Sequence, residues 1–107
     1  MKGDALKGHL DLLLLAILSD GPAHGYAVIE QLRLRSGDVF DLAEGTVYPA
    51  LHRLERSGLV DSRWEEATAR RRRVYRISTD GSGKLEERRR EWRGFQSAVN
   101  AVVSGAA

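Results

Sequence analysis

The run Leu12–Leu18 is apolar at every position, and it limits what the chain can fold into. Its seven residues are too few to cross a bilayer, which takes about 20 apolar residues. Leucines recur at helical spacing through the run and before it, which predicts a helix over residues 5–19. A surface helix keeps a polar face, and this one has none along the run. It must therefore bury two sides, one on its own core and one on another surface, for which a partner subunit is the simplest candidate.

The length and composition narrow the class of protein. A chain of 107 residues predicts one domain over residues 1–107. The absence of cysteine excludes disulfides, iron–sulfur clusters, thiolate zinc sites and a cysteine nucleophile. The three histidines fall on different predicted helices, and no nucleophile–base pair is visible, so we expect no metal, no cofactor and no enzyme. Asp4, His9 and Asp11 interrupt any signal-peptide pattern, so we expect a cytoplasmic protein.

Hydrophobic periodicity and turn residues predict the rest of the secondary structure. The predicted elements are helices over residues 23–36, 44–57 and 79–103, strands over 59–66 and 70–78, and a minimal strand at 39–42. Three helices followed by a β-hairpin form a winged helix-turn-helix. The fold class is therefore mainly α with a small hairpin. We assign residues 5–78 to the winged helix-turn-helix and residues 79–103 to an additional C-terminal dimerisation helix.

The last predicted helix has a heptad seam. Leu85, Trp92 and Val99 are seven residues apart, and Phe95 occupies the complementary position, as does Val102. Arg88 interrupts the seam. Such a helix needs a partner helix, so a homodimer through the first and last helices is expected. Trp92 then belongs either to the dimer core or, with Leu13 and Phe95, to the wall of an effector pocket.

The third predicted helix is the candidate recognition helix. Val47 and Leu51 turn towards the core, which leaves an opposite face suited to a DNA groove. Hydroxyls suit phosphates, and arginine or histidine can reach guanine. The candidate contacts are Thr46, Tyr48, His52 and Arg53. The alternative is an ordinary solvated helix face.

The second predicted strand is strongly basic. Five arginines fall within residues 70–76, without an acidic residue, although the whole chain has a net charge of only +2. Alternation puts Arg70 and Arg72 on one face and Arg71 and Arg73 on the other, so the hairpin must project into solvent or a groove. We expect these four arginines to contact DNA. The alternative is an edge strand whose charges prevent aggregation. Trp64, on the first strand, is expected to pack at the base of this wing.

Several motifs, in order along the chain, resemble one family. The matching segments are His24-Gly25-Tyr26 in the second helix, Gly45-Thr46-Val47-Tyr48-Pro49-Ala50-Leu51-His52-Arg53-Leu54-Glu55 followed by Gly58-Leu59, and Arg71-Arg72-Arg73-Val74-Tyr75-Arg76-Ile77-Ser78 with Gly81 beyond it. They are similar to the motifs of the PadR-like transcriptional regulators, and the resemblance extends from about Leu10 to Val99.

The resemblance implies a dimeric winged-helix repressor that releases DNA on binding a small aromatic effector. It implies DNA contacts by Thr46 and Tyr48, a place for Tyr26 near the DNA backbone, and a pocket lined by Trp92. Two departures stand out. Ala43 replaces the usual Ser or Asn cap of the recognition helix, so Asp41 or the loop must cap it. The wing tip has Ala69-Arg70 where glycines are common.

The sequence therefore predicts a homodimeric repressor on a pseudo-palindromic operator of double-stranded DNA. Its half-sites should be about 10 bp apart. Two other functions remain open. One is a protein-interaction module that binds no DNA and docks a partner through its apolar first and last helices. The other is a sensor of planar aromatic molecules, which is compatible with the repressor.

Overall fold

The computed structural model describes residues 8–67 and 70–105. Its elements are α1 (Leu10–Leu18), β1 (Ala23–His24), α2 (Gly25–Arg35), α3 (Glu44–Arg56), β2 (Val60–Ala67), β3 (Arg70–Ile77) and α4 (Thr79–Val103). The three strands form one antiparallel sheet in the order β1-β3-β2. This arrangement confirms the predicted class, a mainly α winged helix-turn-helix with a long additional C-terminal helix.

Two sequence predictions about local structure are wrong. Residues 39–42 form no strand, and the short strand is instead Ala23–His24, which pairs with Tyr75 and Val74. The predicted helix over residues 5–19 does not continue through Gly8, whose φ of +93° an α-helix does not allow, and the described helix begins at Leu10. The predicted helical residues 5–7 lie outside the described residues, as do Thr68 and Ala69 of the wing tip.

The apolar run Leu12–Leu18 packs mostly into the core of the chain. On α1, Leu14, Leu15 and Leu18 are fully buried, whereas Leu12 and Leu13 are only partly covered. Within the described residues, all four helices and the two long strands contribute to one core. Its buried side chains are Leu14, Leu15, Ile17, Leu18, Val28, Leu32, Leu42, Val47, Ala50, Leu51, Leu54, Val60, Tyr75 and Leu85.

The start of α4 is fixed to the hairpin by a close backbone contact. The Ser78 hydroxyl accepts a hydrogen bond from the Gly81 N–H (3.0 Å) and donates one to the Gly58 carbonyl (2.7 Å). A Cβ at Gly81 would lie 2.0 Å from the Leu59 carbonyl oxygen, so only glycine fits there. Within α4, Gly81 and Leu85 are the buried residues. Beyond Leu85, Arg88 and Trp92 still contact Gly8 and His9 beside α1, whereas the last turns of α4 are exposed. The molecule is 59 Å in its longest dimension.

Candidate nucleic-acid interface

The start of α2 supports the recognition helix α3 directly. His24 Nδ1 accepts a hydrogen bond from the Ala27 N–H (3.2 Å) and so caps α2. Gly25 lies under the Tyr48 ring, since a Cβ at Gly25 would be 2.5 Å from two ring carbons. The histidine and glycine of the His24-Gly25-Tyr26 motif therefore have structural roles, while Tyr26 is 59% exposed.

Tyr48 is half-buried against α2. Burial, reinforced by the nearby Glu44 carboxylate, raises the pKa of the Tyr48 phenol. The phenol therefore stays neutral at physiological pH, and its hydroxyl can donate a hydrogen bond to a phosphate oxygen.

The predicted outer face of α3 is exposed where it begins. Val47, Ala50 and Leu51 are buried, whereas Thr46 and His52 are exposed. Ala43 occupies the N-cap position and no side chain caps the helix, so Asp41 does not replace the missing cap. Such a cap is typically worth about 1 kcal/mol. Without a side-chain acceptor, the first N–H groups of α3 can bind an external anion.

Two predicted contacts on α3 are engaged within the chain. The Arg53 guanidinium lies 3.1 Å from the Asp11 carboxylate and so ties α3 to α1. The His52 ring centroid is 6.4 Å from that of Tyr75, at the root of the hairpin. Thr46 and Tyr48 lie near the N-terminus of α3, whereas Arg53 lies near its C-terminus, on the side that faces α1.

The hairpin is buried at its root and exposed further out. Tyr75 is opposite Ser62, and Val60 is opposite Ile77, on the face that packs onto the core. Burial raises the pKa of the Tyr75 phenol, which therefore stays neutral in the core. Beyond this root, Arg71 lies on the same face as Tyr75 and Arg72 on the opposite face, and both are exposed. The Arg70 side chain lies outside the described part of the chain.

Arg73 is held by polar contacts to the recognition helix. Its Nε donates to the Ser62 hydroxyl (2.8 Å), and its Nη2 lies 3.4 Å from the Glu55 carboxylate. The Ser62 hydroxyl in turn donates to the same Glu55 oxygen (2.5 Å). Neither Glu55 nor Ser62 was among the candidate DNA contacts. The available signals were the place of Glu55 at the end of the recognition-helix motif and a polar residue, Ser62, at an inward-facing strand position.

The prediction that Trp64 packs at the base of the wing is wrong. Its side chain is 52% exposed, and the guanidinium carbons of Arg71 and Arg73 lie 4.9 and 5.3 Å from its ring centroid. Trp64 is on the Tyr75 face of the hairpin, but it lies beyond the point where that face meets the core. It therefore belongs to the exposed part of the wing.

A cavity of about 180 Å³ lies between α1 and α4. The Trp92 ring packs edge-on against His9 (5.3 Å between centroids) and beside Phe95 (5.9 Å). Arg88, which interrupts the heptad seam, donates to the Gly8 carbonyl (3.1 Å). The lining residues are Gly8, His9, Leu12, Arg88, Glu91, Trp92 and Phe95. Trp92 and Phe95 thus lie together at this cavity, and the leucine that lines it is Leu12 and not Leu13.

Among residues 8–67 and 70–105, no group of histidine and carboxylate side chains could hold a metal ion. No helix in that part of the chain is long and apolar enough to cross a membrane.

Comparison with known proteins gives a consistent result. The family model described as the transcriptional regulator PadR-like family matches residues 14–87. A transcriptional regulator of Mycobacterium tuberculosis is 39% identical over 79 residues, which cover 74% of this chain and 71% of that protein. A transcriptional regulator from Clostridium thermocellum has a TM-score of 0.84 at 29% identity, covering 94% of this chain and 95% of that one. A PadR family regulator from Clostridium difficile has a TM-score of 0.80 at 32% identity, covering 89% and 98%.

Proposed function

Because this chain belongs to the PadR-like family of transcriptional regulators, we propose that it represses transcription as a homodimer bound to a pseudo-palindromic DNA operator. Its membership confirms the resemblance noted in the sequence. Members of this family regulate transcription and are not enzymes, which confirms that prediction as well. The DNA contacts, the repression and the response to an effector are the proposal.

The observation that carries the proposal is the concentration of positive charge on the exposed part of the hairpin. Arg71 and Arg72 extend from opposite faces beyond the buried root at Tyr75, and the Arg71 side chain is 62% exposed. Guanidinium groups bind phosphate oxygens with two hydrogen bonds at a time. A hairpin with arginines on both faces fits between DNA backbones, where each face meets phosphate.

The recognition helix α3 adds contacts at its N-terminal end. Thr46 and Tyr48 offer hydroxyl donors beside the uncapped N–H groups of α3, a combination suited to backbone phosphates. His52, exposed one turn further along, is placed to reach base edges in the major groove. Tyr26, exposed on α2, is suited to the adjacent backbone. Arg53 shares its guanidinium with Asp11 through Nη2, and its side chain is more than half exposed beside the helix.

The proposed dimer forms through α1 and the far part of α4. Residues 94–103 contain no charged side chain, and Val102 is 81% exposed in the single chain. A second copy offers the same apolar surface in return, as two-fold symmetry requires. Two recognition helices then face DNA half-sites about 10 bp apart.

We propose that the effector is a planar aromatic molecule held in the cavity against Trp92 and Phe95. The cavity in one chain is smaller than the roughly 300–1,000 Å³ of typical ligand sites, so the partner subunit would complete it. The chain has two tryptophans, which allows a matched test. Aromatic compounds should quench fluorescence in Trp64→Phe, which keeps Trp92, and should not in Trp92→Phe. An absence of quenching across a broad panel would contradict the effector.

DNA binding is tested by titrating the region upstream of the encoding gene at several salt concentrations. Two phosphates neutralised by each wing contribute about −3.6 to the slope of log affinity against log salt for a dimer. Arg72→Ala should make the slope shallower by about 1.8, because both wings lose one contact. Arg90→Ala, which removes an exposed arginine of α4, is the control and should leave the slope unchanged.

The same titration separates the alternatives. If the wild-type chain binds and the salt slope of Arg72→Ala is unchanged, the wing does not contact DNA. If the chain binds the upstream region and an unrelated duplex equally well, it has no specific operator there. Absence of binding to either duplex would favour a protein-interaction module that docks partners through its apolar helices.

A further inference from the structure

Trp64 is an aromatic side chain that contributes little to the core. It lies on the exposed part of the wing, and half of its surface is open to solvent. The arginines on either side of it, Arg71 and Arg73, both approach its ring within stacking distance. Trp64 belongs neither to the buried core nor to the partly buried side chains packed against it, so its described ring contacts are those to the two guanidinium groups.

The contacts of Trp64 continue to the recognition helix. Arg73, the register partner of Trp64 on β3, is bonded to Ser62 and lies against Glu55 of α3. Glu55, Arg73, Trp64 and Arg71 therefore form a continuous row, which we call the wing ladder. One end of this row is fixed to α3, and the other end is the exposed guanidinium of Arg71.

Arg71 and Arg72 differ in what holds them. Arg71 stacks on Trp64, and its Nε is 3.9 Å from the Glu66 carboxylate, a distance too long for a hydrogen bond. Arg72 is on the opposite face, where its register partner is Glu65. A free arginine loses about 2 kcal/mol of side-chain entropy when it is fixed. Stacking on a flat ring restricts Arg71 before it meets a phosphate, so less entropy is lost on binding.

We propose that Trp64 is a positioning residue of the DNA interface, which holds Arg71 through the wing ladder at a fixed offset from the recognition helix. The inference rests on the proposed function and specifies how the wing performs it. Trp64 acts through Arg71 and does not itself supply charge. Its loss should therefore weaken binding while the salt slope stays the same.

A double-mutant cycle on DNA affinity tests the role. Trp64→Leu should weaken binding by about two- to fivefold for each wing, which is the range expected for an exposed cation–π contact. In the Arg71→Ala background, the same substitution should have almost no effect. In the Arg72→Ala background, the full loss should remain, which makes Arg72 the matched control. Trp64→Phe keeps a stacking face and should recover most of the affinity.

A second substitution keeps the test independent of how well Trp64→Leu folds. Arg71→Lys preserves the charge but removes the planar group, so it should lose affinity with an unchanged salt slope. Thermal unfolding of each variant shows whether it is folded.

The measurements distinguish a failure of the proposed function from a failure of the positioning role of Trp64. If the wild-type chain shows no salt-dependent binding to the upstream DNA, the proposed function fails and the inference fails with it. If the wild type binds and Trp64→Leu binds equally well, or if its loss simply adds to that of Arg71→Ala, the positioning role alone is overturned. Wild-type affinity in Arg71→Lys would also overturn it.

Discussion

The hairpin and α4 both extend from the same core, but they carry opposite surface chemistry. Residues 70–76 of the hairpin contain five arginines and no acid, whereas residues 94–103 of α4 contain no charged side chain. Each has a buried root, at Tyr75 for the hairpin and at Gly81 and Leu85 for α4. Beyond its root, each exposes side chains that the core does not cover, the guanidinium of Arg71 on the hairpin and Val102 on α4.

The difference shows that the two extensions suit different partners. Exposed arginines on both faces of a ribbon are stabilised by a polyanion, whose bound counterions are released into solution. An exposed helix with Phe95, Val99 and Val102 along one seam gains free energy by covering another apolar surface. The net charge of +2 conceals the basic wing, since the 17 lysines and arginines of the chain nearly cancel the 15 acidic residues, none of which lies within residues 70–76.

The largest effect is expected at the root of α4, where two glycines of the same helix differ in their surroundings. Gly81→Ala should lower the free energy of unfolding by about 3 kcal/mol, because the added Cβ would meet the Leu59 carbonyl at 2.0 Å. Gly83→Ala is the matched control. A Cβ there meets nothing within 4 Å, and alanine is the better helix former, so the protein should gain about 0.5–1 kcal/mol.

Urea unfolding of both variants measures the difference. Because an added Cβ clashes at Gly81 and meets nothing at Gly83, the two substitutions should change the free energy of unfolding in opposite directions. Equal effects would mean that the start of α4 is not packed against the hairpin. The interpretation that both extensions are anchored at the same part of the core would then be wrong.

The long elements could be predicted because their signals are local. The range 79–103 of α4 follows from its heptad pattern, and Ser78 is identifiable as its cap because of its position before that pattern. The strand Ala23–His24 could not be predicted. It has two residues, and it exists only because it pairs with Tyr75 and Val74, about fifty residues away. A segment that short has no periodicity of its own.

The candidate interface likewise has features that local sequence patterns predict and features that only the folded structure reveals. Exposure of Thr46 follows from helical periodicity. The contact between Asp11 and Arg53 joins residues 42 positions apart, and no local pattern reveals it. Trp64 was misplaced for another reason. Alternation gives the face of the strand on which a residue lies, but it does not show how far along that face the core extends.

A smaller effect, confined to association, is expected in the far part of α4. Val99 is on the apolar seam, whereas Ser97 is two residues earlier, on the outer side of the heptad, and both are exposed in the single chain. Val99→Glu places a charge in the proposed dimer interface and should raise the dissociation constant of the dimer at least about tenfold. Ser97→Glu adds the same charge and should leave the dimer intact.

Analytical ultracentrifugation over a concentration series measures both constants. The stability of the monomer should change by less than about 0.5 kcal/mol in either variant, since both sites are exposed. Added salt sharpens the comparison between the extensions. It should weaken DNA binding through the wing and leave association through α4 unchanged, because residues 94–103 hold no charge to screen. Equal dissociation constants for the two variants would show that the seam of α4 is not the dimer interface, and the apolar surface would then need a different partner.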